Sequence, residues 1–394
     1  MKMRWGVAAL AAVTCVGLTA CGSTGSSGVK AGASASPAAG ASSTSAPGGL
    51  SAAQAVVSGA LGQPASVNLA GNPVLPRVPD KGIKVGFINC NIPSCLPSAA
   101  QLKSATDVLG WDLTVVSPDP AAIGQSLQQL VGQGFKYVLM AAVNTNLIAP
   151  QIQAAKAKGV SIIDWSTGVE QPTITAQNRG PAFSAQIGKL LADAMIVNSN
   201  GNAHAVFATI PTYPIFAAFY TSLKNELSAN CPDCQLDAPL SLTAAQLAAS
   251  QVPSAIVAYL QGHTDVNYVV LATGDMFSGL TAALSAAGLN NRVKILGNVA
   301  GSLKVELQSL NDGTSVAWTT NASTVNYWLV ANWVAQLSEG LTLTPESLKN
   351  GDQSISYILT KDQAATALST LDSTGQWAGP PSFRDQLKTL WRLN

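Results

Sequence analysis

VGQGFKYVLMAAVNTNLIAPQIQAAKAKGVSIIDWS, residues 131–166, holds two apolar runs, 136–140 and 160–164, on either side of a helix-like segment. Neither run alternates apolar with polar residues, which fits strands covered on both faces. Working towards the N-terminus, similar runs stand at 83–88 and 112–116, so the four begin 24 to 29 residues apart. That spacing predicts right-handed crossovers in a parallel sheet. A second series follows at 203–209, 235–240, 266–272 and 292–297. The fold class expected is therefore α/β, with two doubly wound halves.

Ligands of such sheets bind beyond the carboxyl ends of the strands. A dinucleotide site would place GxGxxG after the first strand, but the sequence there is NCNIPSC, and no GxxxxGK[ST] or GxSxG occurs. The two histidines, His204 in an expected strand and His263 in a loop, read as structural or solvated, and Asp164 and Asp275 are single acids at separate strand ends. Nothing in the sequence supports an enzyme, and no cofactor is expected. With 21 basic and 20 acidic residues there is no electrostatic footprint for nucleic acid. Charged residues make up only 10% of the chain and hydrophobic ones 47%, and beyond the first residues no apolar run reaches membrane-spanning length. The apolar excess belongs in a core.

The first twenty residues have the charge, apolar run and small residues of an export signal, and Leu18-Thr19-Ala20-Cys21 resembles the lipobox of bacterial lipoproteins. That resemblance makes Cys21 the lipid-bearing first residue of an exported chain anchored to the outer face of the cell membrane; an ordinary secretory signal is the alternative. Residues 21–80, rich in Gly, Ala, Ser and Pro, read as a flexible tether that cannot bury a core, with one short helix at 51–61. Export favours disulfides. The cysteines left are locally paired, Cys90 with Cys95 and Cys231 with Cys234, and two local disulfides are the favoured reading. A redox role for CPDC and a four-cysteine metal site are the alternatives.

The block at 131–166, with IKVGFI (83–88), AFSAQIGKLLADAM (182–195), YVVLATGDMFSGLTAALSAAG (268–288) and the run from Val293 to Ser323, resembles the type I periplasmic binding proteins, the sugar-binding branch of ABC importers. The resemblance spans about 80–340. It implies two lobes joined by three hinge strands and closing on a small molecule, an ABC permease as partner, and a monomer. Mapped onto this chain, lobe one is 80–177 plus 299–320, lobe two is 178–298 plus 321–370, and 371–394 is a C-terminal tail. The family's sugar contacts, carried over by position, fall on Ser94, Leu96 and Pro97, Ser166 and Thr167, a position near Ala217, Thr273 with Gly274, and Val299; only Asn321 keeps an amide. Every charged sugar contact is thus lost. Trp165, Tyr213, Phe216, Met276, Phe277 and Trp318 lie near the same strand ends, and Asn89, Asn91, Asn178, Asn298 and Asp275 are the polar candidates. An unpaired hydroxyl is costly to bury, so the expected ligand is small, uncharged and less polar than a free sugar, aromatic or cyclic. An ordinary sugar ligand, or a lipoprotein presenting its ligand to a membrane sensor, is the alternative.

Overall fold

In the computed structural model, residues 47–168, 170, 172–299, 303–353, 356–373 and 375–393 are described. The expected export signal, Cys21 and the start of the expected tether lie outside them. The rest of that tether does not behave as one. Helix α1 (Pro47–Gly59) buries Ala53 and Val57, and Leu75 is fully buried, its N–H donating to the carbonyl of Leu390 at 2.8 Å. The Asn72 Oδ1 accepts from Asn332 Nδ2 at 2.8 Å, Gln336 Nε2 at 3.1 Å and Ser347 Oγ at 2.8 Å. Residues 47–80 therefore correct the tether expectation: sparse apolar side chains and one multiply bonded amide suffice to dock a low-complexity segment.

The first sheet contains β1 (Lys84–Ile88), β2 (Asp112–Val116), β3 (Tyr137–Ala141), β4 (Ser161–Trp165) and β5 (Ala176–Asn178) in the order β2-β1-β3-β4-β5, every pair parallel. Its crossovers are α2 (Leu96–Leu109), α3 (Ile123–Gly132) and α4 (Ala149–Ala157). Gly110, left-handed at φ 69°, closes α2 and turns the chain so that Trp111 N–H reaches the Thr106 carbonyl at 2.9 Å. Strands β1, β3 and β4 are buried on both faces, and β2 at the edge is partly exposed.

The chain then crosses at Gly180 into α5 (Pro181–Ser199), β6 (His204–Thr209) and α6 (Pro214–Asn230). The expected strand 235–240 is two two-residue strands, β7 (Gln235–Leu236) and β8 (Leu240–Ser241); Pro239, which lacks a donor, lies between them. After α7 (Ala244–Ala248) and α8 (Val252–Gly262) come β9 (Tyr268–Leu271), α9 (Leu280–Ala286), β10 (Lys294–Val299), α10 (Lys304–Asn311) and β11 (Ala317–Asn321). The last elements are α11 (Ser323–Ser338), α12 (Pro345–Gln353), β12 (Ser356–Leu359), α13 (Lys361–Ser369) and α14 (Phe383–Leu390). The second sheet runs β12-β11-β10-β9-β6-β7, with β8 also on β6 and β12 antiparallel to β11.

Two assignments of the chain to halves are corrected here. Strand β11, expected with the first half as part of 299–320, pairs with β10 of the second sheet, Leu296 opposite Ala317, because its five residues are all buried and need partners on both sides. Helix α11, expected with the second half, packs on α2: Trp328 Nε1 donates to Ser104 Oγ at 2.8 Å. Its residues 323–336 are all buried, so it runs through the interior, where Asn332 and Gln336 are hydrogen-bonded. The expected tail also folds, because α14 buries Phe383 and Leu387, and Trp391 beyond it stacks on Trp328 at 5.3 Å.

Candidate functional site

Three strands of the first sheet end in the same way. Ala142, Ser166 and Arg179, which follow β3, β4 and β5, each adopt left-handed φ, at 54°, 67° and 56°. Their N–H groups bond in sequence to Trp165, Asn178 and Gly351 carbonyls at 2.8, 2.9 and 3.1 Å. A non-glycine residue held there costs on the order of 1–3 kcal/mol, and such strain concentrates at functional sites. All three residues face one cavity of about 30 Å³.

The opposite wall comes from the second sheet: Tyr213, Ile215, Phe216 and Phe219 after β6, Thr273 after β9, and Asn298 in β10. Ile92, Ser94 and the Cys95 end of the loop after β1 complete it. Both expected disulfides are present, Cys90–Cys95 with Cα atoms 5.7 Å apart and Cys231–Cys234 with 5.3 Å. The first clamps that loop, and Asn89 Nδ2 holds the Cys95 carbonyl at 2.9 Å. A neighbouring cavity of about 50 Å³ shares Ala142 and Tyr213 with the first and takes Asn91, Ile123, Val143 and Ile148 from the first half. Among the described residues, no acidic side chain lines either cavity.

Of the expected site residues, Ser94, Trp165, Ser166, Tyr213, Phe216, Thr273 and Asn298 meet at the inner cavity, and Asn91 reaches the neighbouring one. Others lie elsewhere. Thr167 Oγ1 is given to Asp164 Oδ2, which also accepts from Gln177 Nε2 at 3.2 Å. Asn178 is buried on β5 outside the cavity wall, and Asn321 Oδ1 accepts from Ser323 Oγ at 3.1 Å and Asn326 Nδ2 at 3.2 Å. Met276 is core; Phe277 packs edge-on against Trp318 at 5.1 Å, and the Trp318 indole N–H goes to Ser315 Oγ at 2.8 Å. Asp275 sits outside the inner cavity, where its Oδ2 accepts the Ser94 N–H at 3.3 Å and so ties the two halves. Beside it lies Glu306, whose carboxyl is pushed up to about 7 by burial and by the Asp275 charge.

Arg179 was not among the expected residues. It is the sole basic residue between Lys158 and Lys189, a signal that periodicity and the sugar pattern both pass over. Its side chain is 1% exposed, and its guanidinium carbon lies 4.4 Å from the Trp165 ring centre and 4.2 Å from that of Phe183. Desolvated contacts of this kind contribute about 2 kcal/mol or more. Burial still pushes its pKa down to about 9. The Trp165 ring is also stacked on Tyr327 at 4.9 Å, so Trp165 offers the cavity its edge more than a free face.

Residues 96–342 match the family model described as the periplasmic binding protein domain. No curated protein matches the sequence. Among solved structures, an ABC transporter solute-binding protein from Mycobacterium smegmatis with bound glycerol is 18% identical, with TM-score 0.63, over 75% of this chain and 99% of that one. One from Agrobacterium vitis with bound allitol is 18% identical, with TM-score 0.62, over 74% and 99%. A Caulobacter myo-inositol binding protein is 18% identical, with TM-score 0.60, over 73% and 97%.

Proposed function

Because the chain belongs to the periplasmic binding protein domain family, we propose that it serves as the extracytoplasmic solute-binding component of an ABC importer, closing its halves on a small cyclic or aromatic solute less polar than a free sugar. One observation carries the reading: strand ends of both sheets converge on a cavity walled by Trp165, Tyr213, Ile215, Phe216 and Phe219, beside which Ser94, Ser166, Thr273 and Asn298 are the small polar members. A polyol there would set several of its hydroxyls against these apolar walls, and each one left unpaired costs a few kcal/mol. The space of about 30 Å³ holds a headgroup, so the halves part to admit a whole solute.

The ordinary sugar reading has its own support, since the similar structures carry allitol and myo-inositol, and Asn89, Asn91 and Asn298 stand at the strand ends. A thermal-shift screen separates the two. A ligand at a hundred times its dissociation constant stabilises the fold by about 2.7 kcal/mol. Cyclic and aromatic compounds should raise the melting temperature, and pentoses, hexoses and inositols should not. A monosaccharide binding at micromolar concentration overturns the less polar reading in favour of the sugar one.

The Leu18-Thr19-Ala20-Cys21 ending supports a lipid anchor at Cys21. Anchoring of this kind needs more than one acyl chain to be stable. Cys21→Ala should then shift the protein from the membrane fraction to the soluble exported fraction; unchanged membrane association would disprove the anchor.

A further inference from the structure

We infer that Arg179 and the indole N–H of Trp165 form a recognition point for an anionic group, and that the ligand is a small carboxylate with an apolar cyclic body. The inference rests on the solute-binding reading above, keeps its cyclic apolar body, and replaces the uncharged, less polar ligand with one that carries an anionic group. Nε and Nη1 of Arg179 and Nε1 of Trp165 are buried, and none of the three has a hydrogen-bond partner among the described residues. Both side chains line the inner cavity. No carboxylate among the described residues lies within ion-pair distance of Arg179, and the only charge interaction that raises its pKa comes from Tyr327. Buried donors are ordinarily satisfied, and a buried guanidinium ordinarily has a counter-charge.

Here the donors converge from two adjacent strand ends on the same space. A guanidinium presents parallel N–H groups that match the two oxygens of a carboxylate, and the indole adds a third donor. The strained backbone at Ser166 and Arg179 holds both side chains at the cavity wall. The body of the ligand is set by what surrounds this point: Ile215, Phe216 and Phe219 on one side and, past Tyr213, Ile123 and Ile148 on the other. The inner space of about 30 Å³ exceeds the roughly 10–15 Å³ that a water requires and accommodates a carboxylate. Neutral hydroxyls would satisfy the donors but leave the charge unmatched.

The test uses the full chain with benzoate, cyclohexanecarboxylate and glucuronate as probes, set against benzamide, benzyl alcohol, galactose and myo-inositol. Melting temperature and titration calorimetry should show binding of at least one cyclic carboxylate. Arg179→Met should weaken that binding more than tenfold, and Trp165→Phe several-fold. Without any probe, Arg179→Met should melt at or above the temperature of the parent chain, because it removes a buried charge with no counter-ion. Three results would overturn the inference: neutral compounds binding with an affinity that Arg179→Met leaves intact, no carboxylate in the panel binding at all, or Arg179→Met melting well below the parent chain as a broken structural ion pair would. The first of these leaves the solute-binding reading standing.

Discussion

Asp164, at the penultimate position of β4, has a fully buried carboxyl whose Oδ2 accepts from Thr167 and Gln177 while Oδ1 has no partner. Burial pushes its pKa up to about 7 from the usual 3.8 against the effect of those hydrogen bonds. The folded chain therefore holds a proton that the unfolded chain releases between about pH 4 and pH 7. Stability from this group is complete below pH 4 and lost as pH rises through 7, by on the order of 4 kcal/mol in total. Asp164→Asn, which keeps an acceptor for both donors, should melt higher than the parent chain at pH 8 and level with it near pH 4. An equal gain at both pH values would show that ionisation is not the cause. The Cys90–Cys95 bridge closes a loop short enough to contribute about 2 kcal/mol in the chain-entropy account. Alkylation and peptide mapping of exported protein without reductant should find that pair joined; free thiols would refute the clamp. The cysteine pairs were legible because they lie close along the chain. Arg179 was not: its importance depends on a left-handed turn and on partners it lacks, and no local pattern encodes either.

At the level of elements, the strands were legible and the packing partners were not. Runs such as 136–140 and 160–164 mark β3 and β4 to within a residue because burial on both faces leaves an uninterrupted apolar signal. Assignment of β11 and α11 failed because it rested on position along the family pattern. What places them is a backbone ladder with β10 and a set of indole contacts made by residues distant in sequence. Close approach of helices is equally invisible along the chain. In α5, a Cβ on Gly188 would stand 2.4 Å from Ser222 Cβ and 2.5 Å from the Phe219 carbonyl oxygen. Only glycine lets α5 and α6 meet at this distance, and Phe219 then reaches the cavity wall. Gly188→Ala should force the helices apart and destabilise by about 1–3 kcal/mol, read as a lower melting temperature. Because Phe219 would shift with α6, ligand affinity should fall as well. An unchanged melting temperature would mean that the two helices yield without strain.

For the whole molecule, the question is where the binding unit begins. Composition set the boundary near residue 80, since 21–80 is too poor in apolar residues to fold by itself. The structure draws it further back: the described residues fall within one compact unit that includes α1. The segment 47–80 borrows a core instead of building one. Helix α1, with Val57 buried, packs on α5, Leu61 bridges to Ile358 of β12, Val67 is buried, and Leu75 fills a fully enclosed position bonded to Leu390. Burying a Leu or Val side chain contributes about 1.5–3 kcal/mol, so Val57, Val67 and Leu75 each favour docking of the stretch over its release. Removing them would also strand Asn332, Gln336 and Ser347, whose polar atoms converge on Asn72 inside the structure. An exported chain beginning at Lys81 should thus melt measurably below one beginning at Pro47, since each kcal/mol lost lowers the midpoint of a chain longer than about 250 residues by roughly 1–2 °C. Asn72→Ala in the longer chain should reproduce part of that loss, as it leaves three buried donors without their acceptor. A tether would behave otherwise: equal melting temperatures for the two chain lengths would return residues 47–80 to that role and make their packing incidental.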